Sequence, residues 1–183
     1  MTICKRIQLG DKAQLDLLCK ISRDTFFATF QATSELVQME LYMQQAFSEQ
    51  QLNHEIYHPH TQFYILYSAG NACGYFKINF STAQSEPKPD NYLEIQRIYL
   101  YPEYQGKGIA DDAIEYIMTV AKLNYIKVIW LGVAEDNYRA YRFYGKQGFK
   151  PNGVHLFDFA GEIQSDICME MLIPDNSSIR DTR

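Results

Sequence analysis

The chain has 183 residues, 46% of them hydrophobic, and its 22 acids against 17 bases give a net charge of −5. That length favours a single domain with a full core, and the acidic balance excludes the clustered Lys and Arg of a nucleic-acid footprint. No run reaches the roughly 18 apolar residues of a membrane span, and Lys5, Arg6, Asp11 and Lys12 interrupt any apolar leader, so a cytoplasmic protein with no membrane partner is expected.

In chain order, helical spacing of Ala13, Leu15, Leu17, Leu18, Ile21 and Phe26 predicts a helix from Asp11 to about Gln31. A second begins near Ser34 and carries Leu36, Met39, Met43 and Phe47. His54, His58 and His60 read as a surface loop with no assigned role. The period then changes. The runs 62–67 and 73–80 are aromatic and β-branched and flank a turn at 68–72, which predicts a hairpin. A polar loop, 81–91, leads to a strand over 92–100 that ends before Pro102. Helical spacing returns over 106–123 with Ile109, Ala113, Ile114, Ile117, Met118 and Ala121 on one face. The continuous apolar run 128–133 reads as a strand buried on both faces. A short helix over 137–147 is capped by Asn137 and stopped at Gly148. Strands at about 154–159 and 163–172 close the domain as a hairpin, so the domain runs 1–173 and the polar stretch 174–183 is a frayed tail. The order predicts an α/β fold, one mixed sheet in one domain. Cys4, Cys19, Cys73 and Cys168 form no CxxC pair and no metal-ligand spacing, so free buried thiols and no metal are expected.

The segment Tyr101–Ala110 carries a strand through a glycine-rich turn directly into a helix. A helix N-terminus offers unpaired N–H groups and the positive end of the dipole, and Gly106 and Gly108 allow an anion to come close. The turn is neither a Walker loop, lacking Gly-Lys-Ser/Thr after four spacers, nor a dinucleotide GxGxxG, whose third glycine would fall at Asp111. Two glycines alone are equally a tight connection.

The pattern Gln/Arg-x-x-Gly-x-Gly/Ala, present as Gln105, Gly108 and Ala110, resembles the pyrophosphate-binding motif of the GCN5-related N-acetyltransferases, the GNAT superfamily. Downstream, Asn137, Ala140, Phe143, Tyr144, Lys146, Gly148 and Phe149 are similar to the second signature of that family. The likeness spans most of the chain. Within it, 83–86, 93–99 and 130–133 look most like bacterial PaiA-type spermidine/spermine N-acetyltransferases.

The resemblance implies a GNAT fold with a central sheet of about six to seven strands and the N-terminal helices over the acceptor side. It implies acetyl-CoA as co-substrate and a small amine, a polyamine first, as acceptor, and it is compatible with a homodimer. Ile98, Tyr99 and Leu100 would lie along the pantetheine arm. Gln105, Gly106, Lys107, Gly108, Ile109 and Ala110 would hold the pyrophosphate, with Asn137 and Lys146 nearby. Asp111 and Asp112 suit the helix dipole but would repel a close phosphate. Tyr144 would be the acid for the leaving thiolate. A primary ammonium resembling Lys, with a pKa of about 10.4, is almost wholly charged at neutral pH. A base is therefore useful, and Glu94 stands where some family members carry a basic glutamate. The other reading of Glu94 is an edge or surface residue of an alternating strand. Phe26, Phe27, Phe30, Glu35 and Glu40 are acceptor-side candidates, and equally the two faces of an amphipathic helix. A protein N-terminus, a lysine or another small amine is the alternative acceptor, and a non-catalytic acyl-CoA-binding regulator is the alternative class.

Overall fold

A computed structural model describes residues 2–32, 35–159 and 161–174. The chain runs β1 (Thr2–Arg6), α1 (Lys12–Phe30), α2 (Leu36–Ala46), α3 (Glu49–Tyr57), β2 (Thr61–Ser68), β3 (Asn71–Phe80), β4 (Tyr92–Leu100), α4 (Ile109–Leu123), β5 (Val128–Ala134), α5 (Tyr138–Lys146), β6 (Lys150–Phe159) and β7 (Glu162–Leu172). Seven strands form one mixed sheet in the order β1-β2-β3-β4-β5-β7-β6. Ser34, Ala160 and all of the expected tail but Pro174 lie outside the described residues.

Each face of the sheet has its own apolar core. On one, Leu15, Leu18 and Ile21 of α1, Met39 of α2 and Leu52 of α3 pack with Phe63, Ile65 and Tyr75. On the other, the stripe Ile109, Ala113, Ile114, Ile117 and Ala121 of α4 packs on Leu66, Phe76, Ile78, Leu93 and Leu131. Trp130 at the centre of β5 is fully buried, as its continuous apolar run predicts.

Four local features depart from the sequence expectation. β1 was not predicted: its five residues include Lys5 and Arg6, and as an outer strand pairing only with β2 it needs no apolar face. The second helical stretch is two helices, because Ser48 caps α3 by accepting from Gln51 N at 3.2 Å. His54 is accordingly a residue of α3, while His58 caps its end and accepts from His60 N at 3.2 Å. α4 starts at Ile109 instead of Gly106, since Gly106 (φ 74°) and Gly108 (φ 79°) are left-handed and cannot join a right-handed helix. β6 begins at Lys150, ahead of the expected 154, with an irregularity between Pro151 and Val154 that hides the strand period.

Two features open the sheet where ligands can enter. β3 and β4 shift register between Lys77 and Ile78, leaving Gln96 as an extra residue on β4. β4 and β5 run parallel but pair only at Tyr92–Val128, Leu93–Ile129 and Glu94–Trp130 before they part. The wall beside this opening is tight. A Cβ on Gly74 would lie 2.3 Å from Tyr99 O and 2.6 Å from Leu100 Cδ2. Gly74→Ala should therefore cost about 1–3 kcal/mol by overpacking, read as a lower denaturant midpoint with an unchanged slope.

Candidate active site

The wedge between β4 and β5 is the mouth of a cavity of about 850 Å³ that continues to the N-terminal helices. One wall is β4 from Glu94 to Leu100, the opposite wall Gly132–Ala134, and α4 and α5 flank the entrance.

At the entrance, Gly106 and Gly108 present open space where a Cβ would stand, and the first intrahelical bond of α4 runs from Asp112 N to Gly108 O at 3.0 Å. The N–H groups before it are those a helix leaves unpaired. Gln105 spans the entrance: its Nε2 donates to Leu100 O at 3.2 Å, and its Oε1 accepts from Arg139 Nη1 at 2.5 Å. Arg139, Arg142 and Lys146 all line the cavity. They fall at i, i+3 and i+7 of α5, one helical face, so three cations line the cavity that the N-terminus of α4 also borders. Lys146 was expected there. Arg139 and Arg142 were not, although their helical spacing was a visible signal.

Of the other residues expected at the donor, Ile98, Tyr99, Leu100, Gly106, Gly108, Ala110 and Asn137 all line the cavity. Lys107 and Ile109 do not: Lys107 lies over the Tyr104 ring, 5.6 Å from its centroid, and the Ile109 side chain is in the core. Asn137 Oδ1 accepts from Ala140 N at 3.0 Å and so caps α5. Asp111 is at the rim, where its carboxylate accepts from Gln147 Nε2 at 2.7 Å.

Deeper in, Tyr144 is 8% exposed and packs edge-on against Phe149, with centroids 5.6 Å apart. Burial pushes its phenol well above the ordinary tyrosine range. Its hydroxyl makes no hydrogen bond among the described residues, so it is a protonated donor facing a cavity.

Glu94 is at the sheet centre and 2% exposed, which removes the edge reading. Asn79 Nδ2 and Ser85 N each donate to its Oε2 at 2.9 Å, and the Ser85 hydroxyl donates to Oε1. Both oxygens are engaged, and the loop before β4 is tied to the strand.

Toward the N-terminal helices the cavity is lined by Phe26, Phe30, Tyr42, Phe47 and Tyr99, and Asp136 and Asp166 are also among its lining residues. Burial raises the Asp166 carboxyl, and His155 opposes that shift. Phe27, Glu35 and Glu40 are exposed and outside the cavity: Phe27 and Glu40 lie on the solvent faces of α1 and α2, and Glu35 stands at the N-cap of α2. Among the described residues no group of three His, Cys, Asp or Glu is placed to hold a metal ion, and no helix is long and apolar enough to cross a membrane.

The sequence profile of the acetyltransferase (GNAT) family matches residues 17–149. The chain belongs to this family. An uncharacterized N-acetyltransferase from Lactobacillus delbrueckii subsp. lactis is 32% identical over 170 residues, 93% of this chain and 98% of the relative. The spermine/spermidine N(1)-acetyltransferase of Bacillus subtilis (strain 168) is 31% identical over 98 residues, 53% of this chain and 63% of the relative. Among solved structures, the PaiA N-acetyltransferase of Thermoplasma acidophilum in complex with coenzyme A superposes with a TM-score of 0.75 at 21% identity, covering 94% of this chain and 99% of that one. The protein is thus a GNAT acetyltransferase with acetyl-CoA as its co-substrate. The entrance suits that donor: a glycine turn open to an anion, a helix dipole and a face of three cations.

Proposed function

We propose that this GNAT enzyme acetylates a small primary amine, with a polyamine of the spermidine or spermine kind as acceptor, by direct attack of the amine on the thioester. The observation that carries the reading is one cavity joining the glycine turn to a chamber that combines aromatic walls with the carboxylates of Glu94, Asp136 and Asp166. An alkyl ammonium chain is attracted both by carboxylates and by ring faces. The polyamine acetyltransferase among its relatives supports the same acceptor class.

In this reading the Gln105–Ala110 turn and the cations of α5 hold the phosphates of the co-substrate, and the edge of β4 at Ile98–Leu100, which has no strand opposite, receives the pantetheine amides. Holding the amine beside the thioester supplies much of the acceleration. The nitrogen lone pair forms the N–C bond, the intermediate expels sulfur with its electron pair, and Tyr144 protonates that sulfur. Glu94 adds negative charge beside the attacking amine and is one candidate for its base. The four cysteines are free thiols, with Cys73 and Cys168 buried as expected but Cys4 and Cys19 only partly buried, and free thiols fit a reducing, cytoplasmic setting.

The test is release of CoA thiol from acetyl-CoA with spermidine, spermine, lysine and N-terminal peptides offered separately. A polyamine should be the best acceptor, and Asp166→Asn should raise its KM by about tenfold, the loss of one charge-assisted contact. Preference for a peptide N-terminus or lysine would replace the polyamine assignment. Tight acetyl-CoA binding with no amine acetylated would point instead to an acyl-CoA-responsive regulator.

A further inference from the structure

His155 of β6 lines the same cavity, and no family motif marks it. Its ring is 7% exposed and stands edge-on to Trp130 with centroids 5.5 Å apart. Its Nδ1 is 2.7 Å from Glu86 Oε1. A carboxylate only accepts, so Nδ1 carries a proton, and in the neutral ring Nε2 keeps a lone pair. Nε2 has no hydrogen-bond partner among the described residues. Among the described residues the sealed, unpartnered polar side-chain atoms are Ser22 Oγ and Tyr75 Oη, so Nε2 keeps some exposure on a residue that lines the cavity.

The ring's position depends on Gly132, in the wall of the wedge. A Cβ there would lie 2.7 Å from His155 Cδ2, the carbon next to Nε2, and 3.3 Å from Asp166 Oδ2. His155 and Asp166 are paired across β6 and β7, so the ring edge bearing Nε2 and a carboxylate converge on one spot of the cavity wall. Both oxygens of Glu94, by contrast, already accept hydrogen bonds.

We propose that His155 is a catalytic base of this enzyme, with Nε2 taking the proton from the acceptor ammonium directly or through one water, Glu86 fixing the ring, and Asp166 holding the ammonium beside it. The inference rests on the amine acetyltransferase reading above. The first proton of the ammonium passes to Nε2 and on to solvent. The freed lone pair then forms the N–C bond, and the C–S pair leaves with sulfur, which takes its proton from Tyr144. The second nitrogen proton, lost as the amide forms, returns through water to Tyr144, so one proton is released per turnover. Charged groups around His155 are Glu86 and its ion-pair partner Lys88 on the loop before β4, Asp166 on β7, and Glu135 and Asp136 after β5, which act on Asp166.

The experiment is kcat/KM for spermidine, or for whichever amine of the panel turns over fastest, from pH 6.5 to 10 in wild type, H155Q, E86Q and E94Q. Acetyl-CoA affinity and thermal unfolding are measured on each variant. A base matters only while the amine is charged. H155Q should therefore lose at least about tenfold at pH 7 and recover to within about twofold near pH 10, where the amine supplies its own lone pair. E86Q should lose less, with the same recovery. A loss equal at every pH marks a merely structural ring and overturns the assignment, as does no loss, or this pH signature appearing in E94Q instead. A wild type that binds acetyl-CoA and acetylates no amine overturns both readings, whereas active wild type with unaffected H155Q overturns only this one.

Discussion

Tyr144→Phe should lower kcat for acetyl transfer by about 10²–10³-fold, the range expected for loss of a general acid, while acetyl-CoA binds within twofold of wild type. The change removes one oxygen that makes no hydrogen bond among the described residues. The ring contacts with Phe143 and Phe149, centroids 5.3 and 5.6 Å away, remain. Stability should hardly move, so a fall in rate reports chemistry. Because burial raises this phenol far above its ordinary range, it stays protonated throughout a normal assay and should contribute no basic limb near neutrality. Single-turnover measurements separate the outcomes: slow thioester cleavage supports the acid role, while an unchanged chemical step would make Tyr144 packing only.

Glu55→Gln should destabilise the fold by about 3–5 kcal/mol, the cost of leaving buried charges without their counter-ion. Two cations share that carboxylate: Lys77 Nζ lies 2.8 Å and Arg97 Nη1 3.1 Å from Glu55 Oε2, with all three side chains 14% exposed or less. Desolvation pushes the Glu55 carboxyl up, but Arg97 and then Lys77 outweigh it and hold it below the usual value. Lys77 is the surplus charge. Burial and the neighbouring guanidinium lower its pKa from 10.5 to about 8. Below pH 8 folded and unfolded chains both bind this proton, and the folded chain bears the full cost of the charge. Between about 8 and 10.5 only the unfolded chain still binds it, so this group's contribution to stability rises with pH across that window. Lys77→Met should accordingly be neutral or stabilising at pH 7 and should flatten the rise from pH 8 to 9.5. Denaturant titrations at several pH values check both variants, and a Glu55→Gln loss under about 1 kcal/mol would show the triad to be screened.

What could be read from the chain follows from what local chemistry encodes. The glycine turn at Gly106 and Gly108, the α4 stripe and the Asn137 cap each depend on residues close in sequence, and all appear as expected or within three residues. β1 and the break between α2 and α3 were missed because the outer strand is stabilised by its partner β2, and a single Ser48 side chain decides the break. Within the site, the residues expected at the donor lie in two contiguous motifs, and all of them but Lys107 and Ile109 line the cavity. The proposed acceptor chamber draws its lining from α1, α2, β4, β5, β6 and β7, and no single segment reveals it. Nothing near His155 in sequence singles it out, because its setting comes from Gly132 and Glu86, which lie far from it along the chain. Glu35 and Glu40 had attractive chemistry, but Glu35 stands exposed at the N-cap of α2 and Glu40 falls on its solvent face.

The parting of β4 from β5 gives this protein a sheet edge located inside its own fold. Backbone groups that point into the wedge have no strand opposite, which on an outer margin would invite another chain to add itself. Here the gap is flanked by α4 and α5, so a folded neighbour cannot reach it, while a slender amide-bearing chain can. Recognition through such a slot reads the spacing of amides and leaves side chains free to vary. One scaffold can therefore keep its donor while its acceptor wall diversifies.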